Sequence, residues 1–184
     1  MNATDELKSE HRVIERVLSV LESGAARLED GKPVRPGLFL DVADFAKGFT
    51  DGCHHMKEEN VLFPTMEKNG VPNQGGPIGV MLSEHEAGRA YIRSLRDAVT
   101  RWQSGEPSTS ALVTQTARGY AALLRQHIFK EDNILFPMAD RVIPSPEQEQ
   151  VWEGFEHIEH EETGEGVHEK YLALAEALEK EIAA

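Results

Sequence analysis

The sequence predicts an all-α fold, an up-down-up-down four-helix bundle followed by an additional C-terminal helix. Clusters rich in Gly, Pro, Asn and Ser divide the 184 residues into five segments, and they lie at 30–37, 69–77, 104–110 and 137–146. The segments repeat apolar residues at spacings of three and four, which is typical of amphipathic helices. Short linkers between long helices favour antiparallel neighbours. We therefore expect a bundle over residues 1–140 and a helical extension, packed on it, over residues 141–184.

Composition and charge narrow the possible functions. The chain has 32 acidic and 19 basic residues and a formal net charge of −13, which disfavours nucleic acid and anionic membranes as partners. No apolar run is long enough to span a bilayer, and the N-terminus lacks the basic and apolar regions of a signal peptide. The single cysteine, Cys53, excludes an intrachain disulfide, so we expect a reducing, cytoplasmic setting.

Histidines interrupt the apolar stripes of two predicted helices. In the first helix the stripe Leu7–Leu28 alternates spacings of four and three, and His11 lies within it. The third helix is expected to begin near Pro77, a favoured first helical residue, and its stripe Ile78–Trp102 contains His85. A lone histidine on such a stripe is usually a hydrogen-bonded core residue, so neither one indicates a ligand by itself.

A repeat occupies the second and fourth predicted helices. Residues His54–Pro64 and His127–Pro137 both read H-x-x-x-E, followed by an acid, Asn, an aliphatic residue and Leu-Phe-Pro. His and Glu four apart lie one turn apart on the same helix face, so the repeat predicts two helices that present both pairs to one place. We expect each Leu-Phe-Pro to close the end of the bundle and its proline to stop the regular helix.

The second helix conflicts with a regular α-helical geometry. Its inner face is defined by the apolar residues within Leu38–Phe49, and a step of about 100° per residue from there turns His54 and Glu58 away from the interior. A single wide, π-type turn between Phe49 and His54 would rotate both back, and Gly48 and Gly52 make it easier. We predict this turn; a regular ladder of i→i−4 hydrogen bonds through residues 46–58 would contradict it.

The polar residues that fall on inward faces form a set with metal-ligand chemistry. They are His11, His54, Glu58, His85, His127 and Glu131. Burying two carboxylates without partners is costly, and a bound cation removes that cost. Imidazole with carboxylate, without a thiolate cluster, favours iron, manganese or zinc. Six ligands are too many for one tetrahedral ion and suit two ions that share the carboxylates and keep an open position. A single H-x-x-x-E pair can be a surface contact, but the duplicated set favours metal binding.

These motifs resemble the hemerythrin-like (HHE cation-binding) family, whose pattern is H…H-x-x-x-E…H…H-x-x-x-E. The matching stretches are Glu10–Arg12, His54–Glu59, Leu62–Pro64, Ser83–Glu86 and His127–Pro137. The entry to the third helix, Gly76–Ile78, is similar to the iron-centre repair branch of the family. The resemblance covers about residues 4 to 140. It implies a four-helix bundle with two non-haem irons, bridged by Glu58 and Glu131, with His11, His54, His85 and His127 as terminal ligands. The open face would take oxygen, nitric oxide or peroxide.

The chain departs from its relatives in ways that bear on function. Oxygen-carrying hemerythrins have H-x-x-x-H on the third helix, whereas Arg89 follows His85 here, so the resemblance does not extend to reversible oxygen carriage. The repair branch has a further histidine in the loop after the first helix, and Leu28–Gly31 contains none. An additional ligand would then come from elsewhere.

We weigh three residues as additional metal ligands and one as a neighbour of the bound molecule. His55 is next to His54 and would face the metals if the predicted π turn directs it inward. Glu165 and His168 have the i,i+3 spacing of di-iron bundle ligands, although an acidic, solvated helix face is the simpler interpretation. Tyr120 lies two turns before His127 and would either donate a hydrogen bond to a bound ligand or only pack, which is the favoured alternative.

The sequence favours a cytoplasmic, hemerythrin-like di-iron protein that handles oxygen, nitric oxide or peroxide. The alternative is a non-catalytic iron sensor, or an iron donor for the repair of iron–sulfur centres. A third hypothesis is a helix bundle whose site holds zinc or stays empty. Whether the protein is an enzyme is left open, and no protein partner is indicated.

Overall fold

The computed structural model describes residues 3–106 and 108–184, and all regular structure in these ranges is helical. The helices are α1 (Ala3–Glu29), α2 (Pro36–Phe45), α3 (Phe63–Lys68), α4 (Pro77–Gln103), α5 (Thr109–Lys130), α6 (Phe136–Val142), α7 (Ser145–His157) and α8 (Val167–Ala183). The π-helical segments are Ala46–His55, Glu58–Leu62, Glu131–Leu135 and Ile158–Gly164. The predicted all-α class and the start of the third long helix at Pro77 are confirmed. The up-down-up-down order remains a prediction.

Two apolar clusters lie on either side of a polar layer. The large apolar cluster gathers side chains of α1, α2, α4, α5 and α8, and the small apolar cluster gathers side chains of α1, α3, α4, α6 and α7. α1 passes from the small cluster at Leu7 to the large cluster at Ile14, and His11 lies between the two. The other long helical stretches also contribute side chains to both apolar clusters, and their inward-facing histidines and glutamates lie between the two clusters. The polar residues are therefore enclosed by apolar packing at both ends, which lowers the local dielectric and excludes water.

The predicted π turn is confirmed, and it is longer than the sequence indicated. It occupies Ala46–His55 instead of one turn between Phe49 and His54. Gly48 has a second role there, because a Cβ at this position would lie 1.8 Å from the Tyr171 hydroxyl. The glycine thus allows α8 to approach the widened helix closely, a constraint that local sequence cannot show.

The prediction that each Leu-Phe-Pro stops its helix is wrong. The chain continues as α3 after Pro64 and as α6 after Pro137. Each proline is the second residue after a π-helical segment, Glu58–Leu62 or Glu131–Leu135. A π turn moves the hydrogen-bond partner from residue i−4 to residue i−5, so the usual clash of the ring with carbonyl i−4 is relieved.

The C-terminal extension differs from the single helix that we expected. After the π-helical segment Ile158–Gly164 the helix is interrupted at Gly164 and Gly166, both of which have positive φ, and α8 then packs against α1 and α2. The extension therefore contains two helices that both contact the rest of the chain, since α7 contacts α1 as well. α6 ends at Val142, slightly beyond the predicted boundary at 140. Among the described residues, no helix is both long enough and apolar enough to cross a membrane.

Candidate metal centre

The six predicted site residues meet in the polar layer. Each of the six side chains is at most 1% exposed. They are His11, His54, Glu58, His85, His127 and Glu131. Their donor atoms fall into two groups, and within each group all atoms lie within 4.8 Å of one another. The first group is His11, His54, Glu58 and Glu131, and the second is His55, Glu58, His85 and His127. The sequence therefore identified residues that come from four helices to one enclosed place.

Each buried carboxylate faces one histidine from each group. Glu131 Oε2 lies 3.2 Å from His11 Nε2 and 3.2 Å from His127 Nε2. Glu58 lies 3.6 Å from His54 Nε2 through Oε1 and 3.4 Å from His85 Nε2 through Oε2. This cross-connection is the geometry required of carboxylates that bridge two neighbouring ions.

Most of the atoms that face the centre lack hydrogen-bond partners; the exceptions are Nε2 of His85 and Nε2 of His127, which lie 3.1 Å apart. Within the described ranges, Nε2 of His11, Nε2 of His54 and all four oxygens of Glu58 and Glu131 are buried and make no hydrogen bond. Buried carboxylate oxygens are almost always satisfied in folded proteins, because leaving them without a partner costs several kcal/mol. Converging, unsatisfied imidazole nitrogens and carboxylate oxygens fit divalent or trivalent cations of the iron, manganese or zinc type.

A second layer of carboxylates orients the histidines. The Nδ1 atom of each histidine donates to an acid: His11 to Asp132 at 2.7 Å, His54 to Glu10 at 2.8 Å, His85 to Glu59 at 2.6 Å and His127 to Glu84 at 2.9 Å. A carboxylate on Nδ1 fixes the tautomer and leaves the Nε2 lone pair for a metal.

Sequence reasoning missed these four acids, although a pattern marks them. An acid directly precedes His11 and His85, and an acid directly follows Glu58 and Glu131. Each acid orients the histidine of a neighbouring helix and not of its own, as Glu10 of α1 does for His54. The pairing therefore depends on helix packing.

The two central carboxylates cannot both be charged comfortably without a cation. Burial, reinforced by Glu131, raises the pKa of Glu58 well above its usual value. Burial also acts to raise the pKa of Glu131, but His127 and His11 outweigh it and hold that pKa well below the usual value. The pKa values of these two adjacent carboxyl groups are shifted in opposite directions, so Glu131 is favoured as the ionised form and Glu58 as the neutral acid. A metal ion between them would let both ionise.

The histidines differ in charge state. Burial lowers the pKa of His54 to about 4, against the opposing effect of Glu10. Burial acts in the same direction on His11, but Asp132 and Glu131 raise its pKa to about 9. These carboxylates therefore favour a proton on His11, which a metal bound at its Nε2 would have to displace.

His55 enters the centre, as we considered from the sequence. It is 5% exposed, its ring stacks on His85 at a centroid distance of 3.8 Å, and its Nδ1 lies 3.4 Å from Asp51. Burial and the neighbouring His85 lower its pKa well below the usual value, so the ring is neutral and its lone pair is available. The π-helical segment is what turns two successive histidines inward.

The C-terminal residues that we considered as ligands lie elsewhere. Glu165 is exposed at the interruption between the π-helical segment and α8, and the structure does not bring it to either donor group. His168 is half-buried and donates to Glu159 at 2.7 Å, in a third cluster with Glu10. The two C-terminal residues are therefore separated because the helix is interrupted between them.

Lys57 already supplies the cation of the third cluster. Its fully buried ammonium group donates to Glu10 at 2.8 Å, to Glu159 at 2.7 Å and to Glu6. Lys130, at the equivalent position of the repeat, donates to Glu84. Each lysine thus contacts the carboxylate that orients the histidine of its own copy.

Tyr120, which we considered as a neighbour of a bound ligand, is 4% exposed and lines a cavity together with His55. Burial raises its pKa above the usual value, so the hydroxyl stays protonated. Its ring packs near Gly88, in agreement with the packing role that the sequence favoured.

The helical fold and the clustered histidines and carboxylates are typical of a cation-binding protein. A comparison with known protein families gives the same class. The model of the Hemerythrin HHE cation binding domain matches residues 2–139. The chain belongs to this family, which confirms the resemblance found in the sequence.

The relatives span two kinds of protein. The chain is 25% identical over 183 residues to an uncharacterized protein of Mycobacterium tuberculosis, covering 99% of this chain and 71% of the relative. It is 40% identical over 112 residues to the iron-sulfur cluster repair protein YtfE of Dickeya chrysanthemi, covering 58% and 50%. The YtfE protein of Yersinia pseudotuberculosis is 31% identical over 128 residues, covering 67% and 57%. The chain thus spans about half the length of these repair proteins. No solved structure matches the chain significantly.

Proposed function

We propose that this chain is a non-haem di-iron protein that handles oxygen, nitric oxide or peroxide at an open iron position. In this proposal the long helices form an up-down-up-down four-helix bundle over residues 1–140, and residues 141–184 form an extension packed on it. Glu58 and Glu131 would be shared by the two irons. His11 and His54 serve one iron, and His85 and His127 serve the other.

One observation carries this proposal. Each buried carboxylate faces one histidine of each donor group, and its oxygens have no hydrogen-bond partner in the described part of the chain. A structural hydrogen-bond network would satisfy these oxygens, whereas a two-metal site needs them free. Two bound irons would supply Lewis-acid and redox chemistry to a small ligand.

The residues of the chain prepare the site for such a ligand. The four Nδ1 acids hold the imidazoles in orientation, and the two apolar clusters exclude bulk water from the centre. His55 is the nitrogen that distinguishes the two donor groups. We propose it as an additional ligand of the iron that His85 and His127 would hold, so that this donor group would offer one nitrogen more than the other.

A second candidate function is favoured by the relatives. Several of them are named iron-sulfur cluster repair proteins, and this chain matches part of their length. In that alternative the centre is a store from which iron is donated to damaged clusters, or a sensor, and no turnover occurs. Whether the chain acts as an enzyme depends on which of the two holds.

Metal analysis and an optical spectrum, each with and without peroxide and nitric oxide, test the proposal. We expect near-ultraviolet charge-transfer bands that change on addition of the small ligand, and loss of metal in both His54→Ala and His127→Ala. Release of iron to an apo iron–sulfur acceptor without ligand-dependent turnover would favour donation. Metal loss in His54→Ala with full retention in His127→Ala would contradict the shared centre.

A further inference from the structure

A cavity of about 310 Å³ opens beside the metal centre, between the π-helical segment Ala46–His55 and the helices α4 and α5. His55, Thr50 and Tyr120 lie in its wall, and Ile92 adds an apolar surface. A water molecule occupies about 30 Å³ in the liquid, so this volume is far larger than a diatomic ligand or peroxide requires. It corresponds to the lower end of the range, about 300–1,000 Å³, that is usual for pockets that bind small organic molecules.

The charge of the cavity is opposite to that of the protein. Four cationic side chains line it, Lys47, Arg89, Arg93 and Arg96, and Asp51 is its one carboxylate, in a chain of net charge −13. Arg89 is neutralised by Asp51 and by acids outside the cavity, and Arg96 is paired with Asp44. Lys47 and Arg93 form no ion pair with any residue that the structure describes. Two uncompensated cations at the rim favour an anion there.

A buried hydroxyl adds a polar contact inside the cavity. Thr50 is 2% exposed, and its Oγ1 makes no hydrogen bond of acceptable geometry within residues 3–106 and 108–184. It lies close enough to the Tyr120 hydroxyl to influence the pKa of that group. Threonine in a regular helix usually bonds a carbonyl one turn earlier. In the π-helical segment this hydroxyl remains available.

We propose that this cavity binds a small organic anion. The acidic head group would pair with Lys47 and Arg93 at the rim, and an aromatic or branched apolar body would pack on Ile92 and Leu124. The inner end of that body would reach Thr50 and His55. The ligand is of a different class from the small molecule proposed at the irons, and among the residues that would contact it only His55 also belongs to the metal centre.

Calorimetric titration with matched probes tests this inference on the full chain. The probes are 2-naphthoate, the neutral 2-naphthalenemethanol and inorganic phosphate. We expect saturable binding of one naphthoate per chain, binding of the neutral alcohol weaker by about tenfold or more, and no binding of phosphate alone. The double variant Lys47→Gln/Arg93→Gln should weaken naphthoate binding by about tenfold and leave the alcohol unchanged, because each rim cation contributes modestly.

Two further variants locate the site. Gly88→Leu should abolish binding of both naphthalene probes, since a Cβ at Gly88 meets only Tyr120 at 3.7 Å and the larger side chain would enter the cavity. Arg118→Gln, an exposed arginine on the outer face of α5, should change nothing. Far-ultraviolet circular dichroism and thermal melting establish that each variant folds.

Equal affinity for naphthoate and the alcohol would overturn the proposal, because the cavity would then select apolar bodies without regard to charge. Absence of naphthoate binding to the unmodified chain, or unchanged binding in a folded Gly88→Leu variant, would overturn it as well. These outcomes are measured as binding of the organic probes and not as iron content or iron chemistry, so failure here is distinguishable from failure of the di-iron proposal.

Discussion

The two copies of the H-x-x-x-E repeat differ in their surroundings far more than in their sequence. The first copy, His54–Pro64, begins at the end of a π-helical segment and has a fully buried Lys57 among three carboxylates. The second copy, His127–Pro137, begins within the regular helix α5, and its Lys130 is 33% exposed and, among the described residues, pairs with Glu84 alone. The C-terminal extension explains the difference, because it covers the first copy and supplies Glu159. The first copy is therefore the closed half of the centre, because the C-terminal extension covers it. The second copy is the open half, because its lysine is partly exposed to solvent.

Removal of the buried lysine is expected to have the largest effect. Lys57→Met leaves Glu6, Glu10 and Glu159 without their shared cation, and breaking such a buried network should cost about 3–5 kcal/mol of stability. Lys130→Met is the matched control in the second copy, where partial exposure limits the loss to about 1 kcal/mol. Urea unfolding measures both. Equal losses of unfolding free energy in the two variants would show that the two copies are equivalent and would contradict the difference described here.

Changes to the acids that orient the histidines should have the next largest effect. Glu10→Gln and Glu84→Gln each remove the charge on the Nδ1 side of one histidine, His54 or His127. We expect each to lower metal affinity by about 10–100-fold without unfolding the chain. Competition with a chelator gives the affinity, and Glu86→Gln, an exposed neighbour, serves as the control. Unchanged metal affinity in both variants would mean that these acids do not orient ligands.

The smallest expected effect is the pH dependence of the closed half. A hydrogen bond from His168 lowers the pKa of Glu159 to about 2, and Lys57 adds to the effect. A lowered carboxyl pKa contributes stability that is fully present above the usual value of 4.5 and is lost as the pH falls through about 2. Glu159→Gln should therefore flatten the loss of stability between pH 5 and pH 2, by about 1 kcal/mol after solvent screening. An identical acid profile in the variant and the unmodified chain would contradict this contribution.

Much of the centre could be predicted from sequence, because helical periodicity fixes which side chains share a face. The conflict between Phe49 and His54 even located the π-helical segment, since a regular helix cannot direct both inward. The fate of the Leu-Phe-Pro tails was not predictable in the same way. The proline rule assumes an α-helical turn before it, and a π turn precedes both Pro64 and Pro137.

The remaining errors arise from tertiary structure. Glu165 and His168 share a face only if the helix is continuous, and the interruption at Gly164 and Gly166 separates them. The Nδ1 acids were visible as a pattern, but their pairing joins residues of different helices. Lys57 reads as an ordinary helix-surface lysine, and only the packing of the C-terminal extension shows why it is buried.

The central claim is that two irons share the carboxylates of Glu58 and Glu131. X-ray absorption spectroscopy at the iron edge tests it most directly, on purified protein whose iron content has been measured. The account predicts about two irons per chain, nitrogen and oxygen ligands only, and an iron–iron scattering path at about 3.5–4 Å. Glu58→Ala and Glu131→Ala should each remove that path, because each takes away one bridge. A single iron per chain, or two irons without a mutual scattering path, would contradict the shared-carboxylate centre.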